Sequence, residues 1–118
     1  MNFGELMSKR YDAHNYHCGH FTVDAWEMVT GEDASAKLAG LLVPLDCVKV
    51  AKCTMSKCHE LRAPKSPCFA VMTNALGDRH LGVFLDGRIL HITETYPEMT
   101  KLNLATRMFK KVQFYEFE

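Results

Sequence analysis

A chain of 118 residues with 47% apolar and 24% charged residues is sized for one globular domain, residues 1–118, with a single core. Its 14 acidic residues balance 14 basic ones, so no long-range attraction to nucleic acid or an anionic membrane is expected. The first ten residues carry charges of both signs without the apolar stretch of a Sec-type leader, and no run reaches the roughly 18 apolar residues of a membrane span. Synthesis and folding in the cytosol are therefore expected, with any action outside needing another exit route. Five cysteines, an odd number without a leader, point to reduced thiols.

The segment up to Tyr16 is polar and tyrosine-rich, fitting a loop or a short helix. From Cys18 to Val29, residues Phe21, Ala25, Met28 and Val29, with Trp26 beside them, recur at helical spacing, and Thr30-Gly31 supplies the stop. Asp33 or Ser35 caps an expected second short helix through Leu42, ended near Pro44. Between Asp46 and Leu61, residues Val48, Ala51, Met55 and Cys58 fit a helix, but the β-branched residues and cysteines there leave the assignment open. Ala63-Pro64-Lys65-Ser66-Pro67 is a connecting loop. Cys68–Thr73 then reads as a buried strand, Asn74–Asp78 as a turn, and His80–Leu85 as the next strand. Asp86-Gly87 predicts a type I′ hairpin, Arg88–Thr93 returns antiparallel, and Val112–Phe117 closes the chain as a strand. Helices first and an antiparallel meander after them define an α+β fold.

The hairpin has geometric content. A two-residue loop makes Leu85 face Arg88, so His80 faces Thr93 and His91 faces Gly82. The period of a strand then puts His80 and His91 on one face as diagonal neighbours, roughly 7–8 Å apart at the backbone. Gly82 opposite His91 leaves space for the ring. The other face, Leu81, Val83, Leu85, Leu90 and Ile92, is apolar throughout.

A thiol at a helix start and an imidazole at a strand start, far apart in sequence, is the disposition of nucleophile and base in a thiol hydrolase. The attacking species is a thiolate, and a helix N-terminus lowers the thiol pKa through the macrodipole and free N–H groups. In this reading Cys18 attacks, and His80 takes the thiol proton and later protonates the leaving amine. His91 holds His80 in the useful tautomer. The Cys18 amide with a neighbouring donor forms an oxyanion hole, to which Tyr16, or second to it Tyr11, adds a hydroxyl. His14 and His17 read as loop residues, and His20 as a local hydrogen-bonding residue.

The stretches Tyr16-His17-Cys18-Gly19-His20-Phe21-Thr22-Val23-Asp24-Ala25-Trp26 and His80-Leu81-Gly82-Val83-Phe84-Leu85-Asp86-Gly87-Arg88-Ile89-Leu90-His91 resemble the NlpC-type cell-wall cysteine peptidases of the papain-like superfamily. That resemblance implies a papain-like fold with N-terminal helices packed on the sheet, Cys18 as nucleophile, His80 as base and His91 as the polar third residue. A closer likeness is to a short subgroup encoded among bacteriophage tail genes. It covers about 100 residues, from the cysteine motif to the end, and includes Ser66-Pro67-Cys68 and Val112-Gln113-Phe114-Tyr115. It implies hydrolysis of peptide bonds in peptidoglycan stems, typically the γ-D-glutamyl bond to diaminopimelate, without a cofactor. It further implies peptidoglycan and phage tail-tip proteins as partners, and a product made in the host cytoplasm and carried in the virion tail. Two positions depart from the pattern. His17 stands where the subgroup tends to have Asn. Gly19 stands where a larger residue or Ser is common, costing roughly 1 kcal/mol of helix stability against Ala but leaving room for substrate.

Two other readings compete. Cys47, Cys53, Cys58 and Cys68, with His59, are the residues a zinc or iron–sulfur site would use, although their spacing lacks the tight pairs of common zinc sites. Alternatively the domain is a structural tail-tip subunit with a vestigial triad.

Overall fold

The alternating apolar runs of the second half assemble one antiparallel sheet, seen in a computed structural model that describes residues 1–39, 42 and 58–118. Its strands are β1 (Cys58–Leu61), β2 (Cys68–Thr73), β3 (Arg79–Leu85), β4 (Arg88–Ile92), β5 (Pro97–Lys101) and β6 (Lys111–Phe117), in the spatial order β1-β6-β2-β3-β4-β5. The expected meander therefore holds only from β2 to β5. The last strand crosses back to lie between β1 and β2, pairing Ala70 with Phe114 and Glu60 with Tyr115.

The β3–β4 turn follows its sequence. Asp86 (φ 49°) and Gly87 (φ 83°) both take left-handed conformations, as a type I′ turn requires. The ladder pairs Leu85 with Arg88, Phe84 with Ile89 and Val83 with Leu90. Ser66 clamps the turn: its Oγ accepts from the Asp86 amide at 2.9 Å and donates to Asp86 Oδ1 at 3.1 Å.

Alternation gives the sheet two apolar faces. On one, Phe69, Val71, Leu81, Val83, Leu90 and Ile92 pack with Leu6, Phe21, Ala25 and Trp26 from helices α1 (Phe3–Met7) and α2 (Cys18–Thr30). On the other, Cys68, Ala70, Met72, Phe84 and Ile89 pack with Ala105 of a third helix, α3 (Leu102–Met108). Trp26 stacks on Phe69 with ring centroids 4.2 Å apart, which anchors α2 to the sheet. No helix among the described residues is long and apolar enough to cross a membrane.

Helix α2 starts at the residue its motif marks and stops at Gly31 in the left-handed conformation. Its cap is a pair of histidines. The His17 Nδ1 accepts from the Gly19 amide at 3.1 Å, and the His20 Nδ1 accepts from the His17 amide at 3.2 Å. An imidazole nitrogen thus fills the acceptor role that an Asn oxygen plays at an N-cap. His17 is fully buried, not a plain loop residue. A His17→Ala chain should lose at least about 1 kcal/mol of stability in chemical denaturation, and His17→Asn, which keeps an acceptor, should lose less.

Three expectations change. Of the second helix expected through Leu42, residues 35–38 form turns, with the Leu38 amide on the Ala34 carbonyl and Asp33 Oδ1 accepting from the Ser35 amide, and residues 40 and 41 lie outside the described residues. Of the open stretch 46–61, residues 58–61 form edge strand β1, and the remainder lies outside the described residues. Strand β5 and helix α3 are additional. The α3 start has no side-chain cap, because its first amide, Leu102 N–H, is taken by the Gly87 carbonyl of the hairpin at 3.0 Å.

Candidate active site

The two histidines meet. His80 is the second residue of β3 and His91 lies on β4, and His80 Nε2 is 2.9 Å from His91 Nδ1 with the rings edge-on, centroids 5.0 Å apart. The same-face geometry follows from the turn register. Gly82 permits it: a Cβ at that position would lie 2.7 Å from the Leu90 carbonyl oxygen, 2.8 Å from Ile89 Cγ2 and 3.1 Å from His91 Cβ. The carbonyl is backbone and has nowhere to swing. Gly82→Ala should therefore cost about 1–3 kcal/mol, as overpacking does, and push β4 and His91 away from His80. Denaturation measures the first effect, and the lost His80–His91 bond shows in ring nitrogen spectra.

Three residues not singled out in the sequence complete the surroundings. Thr100 of β5 is buried, and its Oγ1 lies 2.7 Å from His91 Nε2. Glu98, directly across the ladder from His91, places its Oε2 3.5 Å from Thr100 Oγ1 and 3.8 Å from His91 Nε2. Phe109, just after α3, stacks on the His80 ring at 6.3 Å and walls it from that side. Burial, reinforced by the neighbouring His91, pushes His80 down to about 4. Burial also lowers His91, against the opposing pull of Glu98. Both rings are therefore neutral at neutral pH.

Cys18 is half-buried at the first position of α2. Helix α2 packs on β3 and β4 from the face opposite His80 and His91. The thiol reaches the strand at the Leu81 amide, one residue from His80. By alternation the Leu81 amide points to the β4 side, where the regular ladder has stopped at Val83–Leu90. Among the described residues no hydrogen bond joins the Cys18 thiol to the His80 ring; the amides of Leu81, Gly19 and Cys18 itself face it instead. These amides favour a thiolate, as a helix start should, but burial outweighs them and the Cys18 pKa is raised. The expected lowering of the thiol is thus reversed by desolvation.

The expected oxyanion donors are also rearranged. Tyr16 donates its hydroxyl to Asp24 Oδ2 at 2.5 Å, on the next turns of α2, and is committed there. The Gly19 amide serves the His17 cap. Tyr11 is the phenol beside the thiol: burial raises its pKa, and the charges of Glu94 and Cys18 add to that. His20 is a local hydrogen-bonding residue, as its position suggested, with its ring stacked on Tyr16 at 5.9 Å.

Of the four cysteines of the metal alternative, Cys58 belongs to the α2 face of the sheet and Cys68 to the α3 face, so these two cannot ligate one ion. Cys47 and Cys53 lie outside the described residues. His59 is engaged with Glu116 at 2.8 Å, and Glu116 also pairs with Lys65.

No family model matches this chain, and no curated protein and no solved structure matches it.

Proposed function

We propose that this domain is a thiol hydrolase that cleaves peptide or amide bonds, with Cys18 as nucleophile and His80 as base, on peptidoglycan stem peptides. The observation that carries the reading is the His80–His91 pair at 2.9 Å, set one residue from the amide that meets the Cys18 thiol. The substrate class rests on the likeness to NlpC-type cell-wall peptidases, as do a place at a phage tail tip and partnership with tail proteins.

The thiol pKa is raised and the His80 imidazole is neutral, so both groups are uncharged at rest. The proton leaves sulfur only as the thiolate is needed. His80 must be brought from the far face of β3 within reach of the thiol to accept it; the S–H electron pair then stays on sulfur, and the thiolate attacks the carbonyl carbon. The tetrahedral oxyanion is met by the Cys18 backbone amide at the α2 start. Protonated His80 then gives its proton to the leaving amine as the C–N bond breaks. Water, deprotonated by His80, next hydrolyses the thioester and releases the acid and the free thiol.

Mass spectrometry of the chain quenched during incubation with muropeptides tests the reading. The expected result is an acyl group on Cys18, with new amino termini in the products. Unmodified Cys18 and intact muropeptides would sink it. The second reading, a structural tail subunit with a silent triad, is favoured by one observation: burial holds the Cys18 proton on sulfur more tightly than in an ordinary thiol.

A further inference from the structure

The His80–His91 hydrogen bond alone leaves one matter undecided. A neutral imidazole has one N–H and one acceptor nitrogen, so the bond can run in either sense. If His80 Nε2 donates, its Nδ1 keeps the lone pair that a base needs. If His91 Nδ1 donates, His80 Nδ1 carries a proton and accepts nothing.

The remaining contacts choose. Thr100 Oγ1 stands between His91 Nε2 at 2.7 Å and Glu98 Oε2 at 3.5 Å, and it has a single proton. A carboxylate only accepts. With the hydroxyl proton turned to Glu98, Thr100 must accept from His91, so His91 Nε2 carries the hydrogen and His91 Nδ1 is the acceptor. His80 Nε2 is then the donor of the 2.9 Å bond. We propose that Thr100 and Glu98 are positioning residues that fix the tautomers of both imidazoles, leaving the lone pair of His80 on Nδ1. Their sense is one-directional: donor to acceptor from His80 through His91 and Thr100 to Glu98. Glu98 Oε2 also lies 3.8 Å from His91 Nε2, on the side where the hydrogen is required. This inference rests on the thiol-hydrolase reading for its purpose, but its test does not require hydrolysis.

The test is ring nitrogen NMR of the full chain labelled with 15N at histidine, in neutral solution. In the wild type both His80 and His91 should show an unprotonated Nδ1 and a protonated Nε2. Thr100→Val, nearly the same shape without the hydroxyl, should leave His91 Nε2 without its acceptor and mix the tautomers. Thr100→Ser should restore the wild-type pattern. Glu98→Leu frees the Thr100 proton to turn to His91, so the protons should move to Nδ1 of both rings. The rate of Cys18 alkylation by iodoacetamide should fall about tenfold or more in Thr100→Val and recover in Thr100→Ser. A protonated Nδ1 on either ring of the wild type overturns the proposal, and so do unchanged ring tautomers in Glu98→Leu. The wild-type spectrum decides even if a variant fails to fold. An expected spectrum in a chain that acylates no substrate would sink the hydrolase reading and leave the tautomer assignment standing.

Discussion

A Cys18→Ala chain should hydrolyse its substrate at no more than about a thousandth of the wild-type rate while melting cooperatively near the wild-type temperature. The loss is large because Cys18 is the nucleophile of the proposed mechanism, and the other described thiols are not placed to substitute. Cys58 is buried against the α2 face near Phe117, and Cys68 lies under α3. The stability effect is small because the thiol is half-buried, at the margin of the α2-side core. The α2 cap is made by His17 and His20, which the substitution leaves in place. Activity on purified muropeptides and a thermal melt of the same sample measure both halves. Undiminished cleavage would remove Cys18 from the chemistry.

Replacing His80 by Gln should lower hydrolysis by about a hundred- to ten-thousandfold, the usual range for losing a general base. It should also change how stability responds to acid. Native His80 takes up its proton only near pH 4, whereas the unfolded ring does so near 6.5. Between those values the unfolded chain binds more protons than the native one, so this group lowers stability as pH falls from 6.5 towards 4 and has no effect above 6.5. The full penalty is on the order of 3 kcal/mol. Glu116, Asp12, Glu32 and Asp33, each with its carboxyl pKa lowered by hydrogen bonds, steepen the acid loss in both proteins. The measurement is therefore the difference between the two denaturation series across that window. His80→Gln should lose less stability than wild type, and parallel curves would show that His80 is not held neutral by burial.

The residues that disclosed themselves in the sequence are those whose partners are local or fixed by a short turn. Helical spacing placed α2, and Asp86-Gly87 fixed the register that brings His80 to His91. Both signals lie within a few residues of what they position. Thr100 and Glu98 stayed hidden because Glu94-Thr95-Tyr96-Pro97-Glu98-Met99-Thr100 lacks the alternation of a half-buried strand and has a proline at the first residue of the short one it forms. Their role exists only once β4 and β5 pair. Helix α3 lacked a start signal because its first amide is satisfied by a carbonyl from the hairpin. At Cys18 the Gly19 and Cys18 amides are the donors a helix start provides, but the Leu81 amide and the burial between α2 and β3 that outweighs all three are properties of the assembled fold.

Strand β5 lies at one end of the strand order, beside β4. An end strand can detach in a local opening that costs less than global unfolding. Such an opening would carry Thr100 and Glu98 away while α2, β2 and β3 stayed packed. The reactivity of Cys18 should accordingly fade on warming before the core melts, and the amides of residues 97–101 should exchange with solvent sooner than those of β2. The base would be switched off by fraying at the rim, with the nucleophile still in its seat.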